Sequence, residues 1–464
     1  MHKKERNTFT GSLGFVLAAA GSAVGLGNIW RFPYLAARDG GGLFLIIYLI
    51  LALTFGFTLL ITEIAIGRGT RQSPLTAYGI LKKEWRPLGI LACVIPMLIM
   101  PYYCAIGGWV IKYFWVFLTG RGVQAAEDGY FTSFISDTSS PIIMMVLFLG
   151  VTTLIVLGGV EKGIENFSKI VMPLLIVLII AIAVFSVTIS YHDPDGTVRT
   201  GLGGLKVLLI PDRASLNFGR IYATAMDAAG QLFYSLSVAM GIMITYGSYM
   251  KNDSDLSKAV SQIELFDTLI AFLAGVMVIP AVYVFMGREG MEASGPGLMF
   301  ISLPKVFVQM GWIGSVVGCL FFAMVLFAAT TSSVSIMEAV VSCFMDNYSI
   351  SRRKATVLEA LLALIFGTLV CLGYNMLYFE ITLPNGATAQ ILDIMDYVSN
   401  NLLMPVVAIG TAILVGWVIK PDVIIAEITK NGEQFSRRTL YIVMIRYIVP
   451  VMLTMLLLKA VGLL

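Results

Sequence analysis

The chain is 464 residues long, 58% hydrophobic and only 13% charged, with a mean hydropathy of +0.87. Soluble proteins carry about 25% charged residues, so a water-soluble enzyme of two or three domains is excluded. A net charge of +3 offers no basic field for nucleic acid, and two histidines, His2 and His192, supply neither a His-based metal site nor a His-dependent hydrolase.

Apolar stretches of about 20 residues, the length that spans a bilayer, run near 12–35, 41–66, 88–118, 141–158, 168–190, 222–250, 262–286, 312–345, 354–373, 390–419 and 438–461. They predict an all-α polytopic protein of eleven spans, one transmembrane domain with the lipid bilayer as its solvent. The first is not a cleavable signal peptide, because it holds Gly21, Gly25, Gly27, Asn28, Arg31 and Pro33 with no A-x-A site after it. Cys93, Cys104, Cys319, Cys343 and Cys371 stand singly in apolar runs and read as small buried hydrophobes.

Lys3, Lys4 and Arg6 precede the first span, and Arg68, Arg71, Lys82, Lys83 and Arg86 crowd the second connection. Arg352, Arg353 and Lys354 lie between spans eight and nine, and Lys420, Lys430, Arg437 and Arg438 between ten and eleven. By the positive-inside rule these segments are cytoplasmic, which places the N-terminus inside and the C-terminus outside. Two outer connections are long. Residues 191–221 carry Asp-Pro-Asp-Gly at 193–196 and a glycine patch from Gly201 to Gly204, which suggests turns; 287–311 suggests a helical hairpin.

Glycine inside a spanning helix costs about 1 kcal/mol relative to alanine, yet the first span reads Gly21-Ser22-Ala23-Val24-Gly25-Leu26-Gly27-Asn28. Close helix packing would explain such a run alone. The sixth span repeats the theme, with Gly230-Gln231 followed by Ser235-Leu236-Ser237-Val238-Ala239-Met240-Gly241. Interrupted helices at matching positions of two halves point to a transport site between inverted repeats, where half-helix N-termini receive an anion and freed carbonyls a cation. The eighth span adds four adjacent hydroxyls, Thr330 to Ser333, suited to a small hard cation. Glu264 and Asp267 share one face of the seventh span, Glu264 nearer the solvated cytoplasmic end and Asp267 deeper; an intramembrane carboxylate is a functional candidate. Glu63 and Glu338 read as acceptors for neighbouring backbone.

The run from Ala20 to Tyr34, ending Asn28-Ile29-Trp30-Arg31-Phe32-Pro33-Tyr34, closely resembles the first-helix signature of the neurotransmitter:sodium symporters. Gly230-Gln231-Leu232-Phe233-Tyr234-Ser235-Leu236-Ser237, Thr331-Ser332-Ser333, and Asp393 with Asp396 extend the resemblance over essentially the whole chain. Eleven spans and short tails are similar to the bacterial amino-acid branch, in the inner (plasma) membrane. The resemblance implies a five-plus-five inverted-repeat fold with unwound helices 1 and 6 plus an eleventh helix. Residues 1–190 would hold the first repeat, 191–221 an extracellular loop, 222–419 the second repeat, and 420–464 a loop and the last helix.

It further implies two Na+ ions. One would meet the carbonyls of Gly21, Val24 and Ala328 and the hydroxyls of Thr331 and Ser332; the other would meet the Ala23 carbonyl, Asn28, Ser235, Asp267 and the substrate carboxylate. That carboxylate would also take the amides of Leu26 and Gly27 and the Tyr103 hydroxyl. The substrate amine would face Ala23, Tyr234, Ser235 and Ser237, and Ile99, Tyr103, Tyr234, Met240, Ser332 and Ile336 would line the side-chain pocket. Arg31 with Asp396 would form an outer gate above Tyr103 and Tyr234. Arg6 with Asp346, supported by Ser248 and Tyr249, would form an inner one, with Phe9 where relatives often have Trp.

Departures from the pattern carry information. Gly25 stands where monoamine carriers have Asp, which disfavours amines lacking a carboxylate. Asp267 replaces the usual Asn, and Ala271 replaces the Ser of chloride-dependent members, while Tyr48, Gln231 and Ser235 resemble remnants of a chloride site. The expectation is chloride-independent, sodium-coupled symport of neutral, hydrophobic L-amino acids into the cell, with no enzymatic activity. A proton-coupled transporter through Asp267 or Glu264, or a symporter of a non-standard amino acid or related carboxylate, is the alternative. Oligomeric state is not encoded legibly.

Overall fold

The computed structural model describes residues 8–192, 196–212, 217–292 and 295–464. Among them, nine helices are long and apolar enough to cross a membrane: Gly42–Thr70, Lys83–Leu118, Ser140–Leu157, Val160–Thr188, Leu256–Met286, Trp312–Tyr348, Arg352–Leu372, Ile391–Val418 and Arg438–Ala460. Ser12–Ala23 and Gly27–Arg38, bent by 53° at their junction, make a tenth crossing. Phe218–Ser235 and Ile242–Tyr249, separated by the non-helical residues 236–241, complete the expected eleven.

The third span, Lys83–Leu118, and the eighth, Trp312–Tyr348, pack along each other as the bundle's long axis. Both are mostly buried, whereas the fourth, Ser140–Leu157, and the eleventh, Arg438–Ala460, turn large apolar side chains such as Leu154 and Val451 outward. Outward apolar surface of this kind is stable in lipid rather than in water. The broken helices sit inside that ring, so residues 14–30 of the first span are buried almost without interruption.

Two connections differ from their reading as turns and a hairpin. Ser190–His192 and Val198–Thr200 pair antiparallel, and Asp193 and Pro194 lie outside the described residues. The glycine patch then starts a helix, Gly201–Leu209, whose N-terminus is capped by Gly203 N donating to Thr200 Oγ1 at 3.1 Å. Glycine is there for close approach: a Cβ on Gly201 would stand 2.2 Å from Ser186 O, and one on Gly204 would stand 2.6 Å from Pro280 Cα. Beyond the seventh span, an independent hairpin is replaced by one helical run through Leu298–Ser302 and Leu303–Gln309, which turns at Gly311 (φ 69°) into the eighth span. It is held down by Phe300, whose carbonyl accepts from Tyr113 Oη at 2.8 Å and whose ring stacks on Phe131.

Candidate functional site

The two helix breaks meet at mid-bundle. Val24 leaves helical geometry (ψ 94°) after its N–H has bonded Ala20 O at 2.8 Å, and the helix resumes at Gly27. In the sixth span Ser237 (φ 53°), Ala239 (φ 64°) and Gly241 (φ 73°) all take the left-handed region. For Ser and Ala that conformation costs roughly 1–2 kcal/mol each, so the surroundings must enforce it. They do so by cross-linking the breaks. Ser237 Oγ donates to Ser22 O at 3.0 Å, Ser22 Oγ to Ser237 Oγ at 3.2 Å, and Ala239 N donates to the buried Glu63 Oε1 at 2.5 Å. Glu63 is therefore the backbone acceptor expected of it.

A cavity opens between the breaks, lined by Ala23, Leu26, Gly27, Ile99, Tyr103, Tyr234, Ser235, Ser237, Met240, Ser332 and Ile336, together with Ser22, Gly25 and Asn28. Every residue expected at the substrate site is present, gathered from the first, third, sixth and eighth spans. Glycine makes the floor possible. A Cβ on Gly25 would meet Ser332 Oγ at 2.9 Å and Tyr103 Oη at 3.5 Å, and one on Gly27 would meet the Tyr234 ring at 2.8 Å. The Tyr103 hydroxyl is buried beside Ser332 and the Leu26 backbone without a well-formed hydrogen bond to either. A hydroxyl left in that condition beside a helix start fits an anionic ligand group, since burying it unpaired costs about 1–3 kcal/mol.

Asp267, fully buried, lies beside this cavity. Its Oδ1 accepts from Asn28 Nδ2 at 2.8 Å and Ser235 Oγ at 2.6 Å, and its Oδ2 lies 3.4 Å from Tyr48 Oη. Gln231 Nε2 is turned to Gly27 O at 3.1 Å. Among the described residues no cationic side chain comes within 4.0 Å of Asp267. The other oxygen cluster forms where Ser332 Oγ reaches Ser22 O at 3.2 Å and Val24 O at 3.4 Å, and Thr331 Oγ1 reaches Ala328 O at 3.0 Å, with Gly21 packed against Thr331. Hard oxygens without thiols or imidazoles suit Na+, not a transition metal.

The gates are the part the geometry revises. Arg31 and Asp396 do not form an ion pair. The Arg31 guanidinium lies 5.6 Å from the Tyr234 ring centroid, while Asp396 accepts from Asn400 Nδ2 at 2.6 Å, one helical turn away. The local i,i+4 amide satisfies the carboxylate, and the aromatic face holds the cation. At the basic end Arg6 lies outside the described residues, and Asp346 accepts from Ser73 N at 2.7 Å. Tyr249 hands its hydroxyl to Glu338 Oε1 at 2.6 Å, and Glu338 is in turn gripped by Arg352 at 2.6 and 2.7 Å. Glu338 is thus a side-chain ion-pair partner, not a backbone acceptor. Phe9 is buried edge-on against Phe15, Tyr246 and Tyr249.

Glu264 is likewise corrected. It is buried, not solvated, because Arg437 reaches it at 3.3 Å while lying over the Phe57 ring. Ser22 was not expected in the pocket, although it stands in the middle of the glycine run that marked the break. Nothing local signalled Arg437, whose partner lies 173 residues away.

Comparison with known proteins agrees with this geometry. The profile of the sodium:neurotransmitter symporter family matches residues 6–126 and 130–463. The uncharacterized sodium-dependent transporter YhdH of Bacillus subtilis is 32% identical over the full length of both chains, and MJ1319 of Methanocaldococcus jannaschii, also an uncharacterized sodium-dependent transporter, is 31% identical over 93% of this chain and 86% of its own. The sodium- and chloride-dependent GABA transporter 2 of Rattus norvegicus is 26% identical over 89% and 73%. The crystal structure of MhsT in complex with L-phenylalanine superposes with a TM-score of 0.84 at 33% identity, covering 98% of this chain and all of that one. With a matching profile over nearly its whole length, the chain belongs to the sodium:neurotransmitter symporter family, as a sodium-dependent multi-pass membrane transporter.

Proposed function

We propose that the protein carries neutral, hydrophobic L-amino acids into the cell with Na+, by alternating access and without a chloride requirement. The observation that carries this reading is Asp267, a fully buried carboxylate held only by neutral donors at the edge of the central cavity. Glu264 and Glu338, also buried, have arginine partners in Arg437 and Arg352, and Glu63 is held by the Ala239 amide, whereas Asp267 stands beside the cavity with hydroxyl and amide side-chain donors alone. An isolated buried charge is costly, and a cation at Asp267, Asn28, Ser235 and the Ala23 carbonyl offsets that cost. At about 4 Å and an effective dielectric of 20, one such pair attracts by about 4 kcal/mol. The carboxylate then supplies the negative charge that chloride supplies in other members.

A second Na+ fits Gly21, Val24, Ala328, Thr331 and Ser332. The substrate carboxylate meets Leu26, Gly27 and Tyr103, and its amine meets the carbonyls near Ala23, Tyr234 and Ser235, with Ser237. Ile99, Met240 and Ile336 leave the rest of the cavity apolar and uncharged, and the family neighbour MhsT was crystallised with L-phenylalanine. Arg31 and Asp396, which are apart in this structure and would meet only on closure, and Arg6 and Asp346 on the other side are gates that close in turn as two repeats, 1–190 and 222–419, rock against each other. The basic end faces the cytoplasm of a bacterial plasma membrane, which places the C-terminus outside.

The test is thermal stabilisation of the purified protein by each of the twenty amino acids, in sodium and then in potassium. Ligand that binds the folded state raises its melting temperature, by a stabilisation that grows as RT ln(1 + L/Kd) with the free ligand concentration L. Stabilisation by hydrophobic amino acids in sodium alone supports the reading, and unchanged behaviour without chloride supports the role of Asp267. Equal stabilisation in potassium, with a dependence on pH instead, replaces Na+ by a proton. No stabilisation by any of the twenty removes the substrate class.

A further inference from the structure

The end of the bundle opposite the basic loops carries a charged cluster that leaves out Arg31 and Asp396. Asp227, on the half-helix Phe218–Ser235, is gripped from two sides. Arg38, at the end of Gly27–Arg38, donates one guanidinium nitrogen to it and binds Asp39 through Nε at 2.7 Å; Lys459, on the eleventh span, reaches it at 2.7 Å. The four charges run in the order Asp39, Arg38, Asp227, Lys459, with alternating sign. They join the two half-helices that close the cavity on this side to a span outside both five-helix repeats.

Two further contacts fix the eleventh-span end of this chain of charges. Ala460 O accepts from Tyr397 Oη at 2.8 Å, and Gly462, with φ 73°, packs so closely on Pro384 O that a Cβ would stand 2.4 Å from it. Tyr397 and Pro384 belong to the tenth span and the connection before it. Lys459 thus sits beside a segment tied to the tenth span, while Asp227 sits on a helix that ends at the non-helical residues 236–241. Between that segment and the helix lies a vestibule of about 440 Å³ whose walls include Arg31, Asp227, Gly230, Tyr234, Asn401 and Lys459. Any outward swing of Phe218–Ser235 that widens this vestibule must separate Asp227 from Lys459.

We infer that Asp227 and Lys459 form an outer latch, in which the eleventh span holds the movable half-helix of the sixth and, through Arg38, that of the first. Lys459 lies outside the residues that line the central cavity; it is a positioning residue that sets the population of the outward-open state. Partly exposed pairs contribute modestly, so the latch biases the equilibrium rather than locking it.

The inference rests on the alternating-access reading above, and its test is chosen to fail separately from it. A cysteine placed at Asn401 reports vestibule opening through its rate of reaction with a charged methanethiosulfonate, in sodium and without substrate, with the parent chain as background. Lys459→Gln should speed labelling about two- to five-fold, Lys459→Arg should restore the original rate, and Asp227→Asn with Lys459→Gln should add nothing beyond Asp227→Asn alone. Labelling unchanged in Lys459→Gln, or equally fast in Lys459→Arg, overturns the latch. Sodium-dependent stabilisation by amino acids, measured on the same preparations, reports the transport reading whatever the labelling shows.

Discussion

Asn28 donates to Asp267 Oδ1 at 2.8 Å across 239 residues of chain, joining the restart of the first helix to the middle of the seventh. This single hydrogen bond brings the glycine-rich run of the first span into contact with the carboxylate on which the sodium reading rests. Ser235 converges on the same oxygen from the end of the outer half of the sixth span. One carboxylate thus touches both broken helices, and charge placed there acts on both.

Replacement of Asp267 by Asn should therefore change ion dependence rather than simply destroy the site, because the amide keeps the shape and the contact with Ser235. An attraction of about 4 kcal/mol is removed, and the remaining neutral oxygens recover part of it. The expected result is at least a tenfold weaker sodium dependence of ligand stabilisation, with chloride partly restoring it. Sodium titrations in chloride and in gluconate check this; identical curves for parent and variant would sink the role given to Asp267.

Tyr103→Phe separates binding from folding. The hydroxyl has only ill-formed contacts with Ser332 and the Leu26 backbone, so its loss should leave the melting temperature of the ligand-free protein within a degree or two. A hydrogen bond to a charged group contributes about 1.5–3 kcal/mol. Affinity for the amino acid should accordingly fall by roughly ten- to a hundredfold, read by scintillation proximity or calorimetry.

A Cβ on Gly25 would crowd Ser332 Oγ at 2.9 Å and Tyr103 Oη at 3.5 Å, inside the central cavity. Gly25→Ala should abolish amino-acid stabilisation while leaving the sodium-induced shift largely in place. Gly25→Asp should do so more completely, since its carboxylate would occupy the place of the substrate's own. Retained stabilisation by amino acids in Gly25→Asp would mean that the substrate carboxylate binds elsewhere.

The eleven crossings were legible because lipid permits little besides long apolar helices, and the helix breaks because glycine and serine clusters have few other uses at that depth. The residues lining the cavity came from resemblance, carried position by position from Ala23 to Ile336. What stayed hidden depends on contacts between distant segments. Gly201 to Gly204 looked like a turn because close approach to Ser186 and Pro280 leaves no trace in local pattern. Glu264 looked solvated because Arg437, in a loop far along the chain, gives no local sign of folding back over Phe57. The Arg31–Asp396 pair was expected from the family, but local partners, Tyr234 and Asn400, occupy both groups.

Arg437 offers the clearest stability prediction. Its guanidinium reaches Glu264 Oε2 and Leu53 O, both at 3.3 Å, and covers the Phe57 ring at 4.3 Å. Arg437 is partly exposed and Glu264 buried, so removing the arginine leaves the carboxylate uncompensated inside the bundle, at a cost below that of a fully buried pair. Arg437→Gln should thus lower the melting temperature clearly, whereas Arg437→Gln combined with Glu264→Gln should recover much of the loss, because two neutral amides can bond where the ions did. If the double variant is no more stable than the single one, the arginine acts through its packing on Phe57 and not through the charge of Glu264.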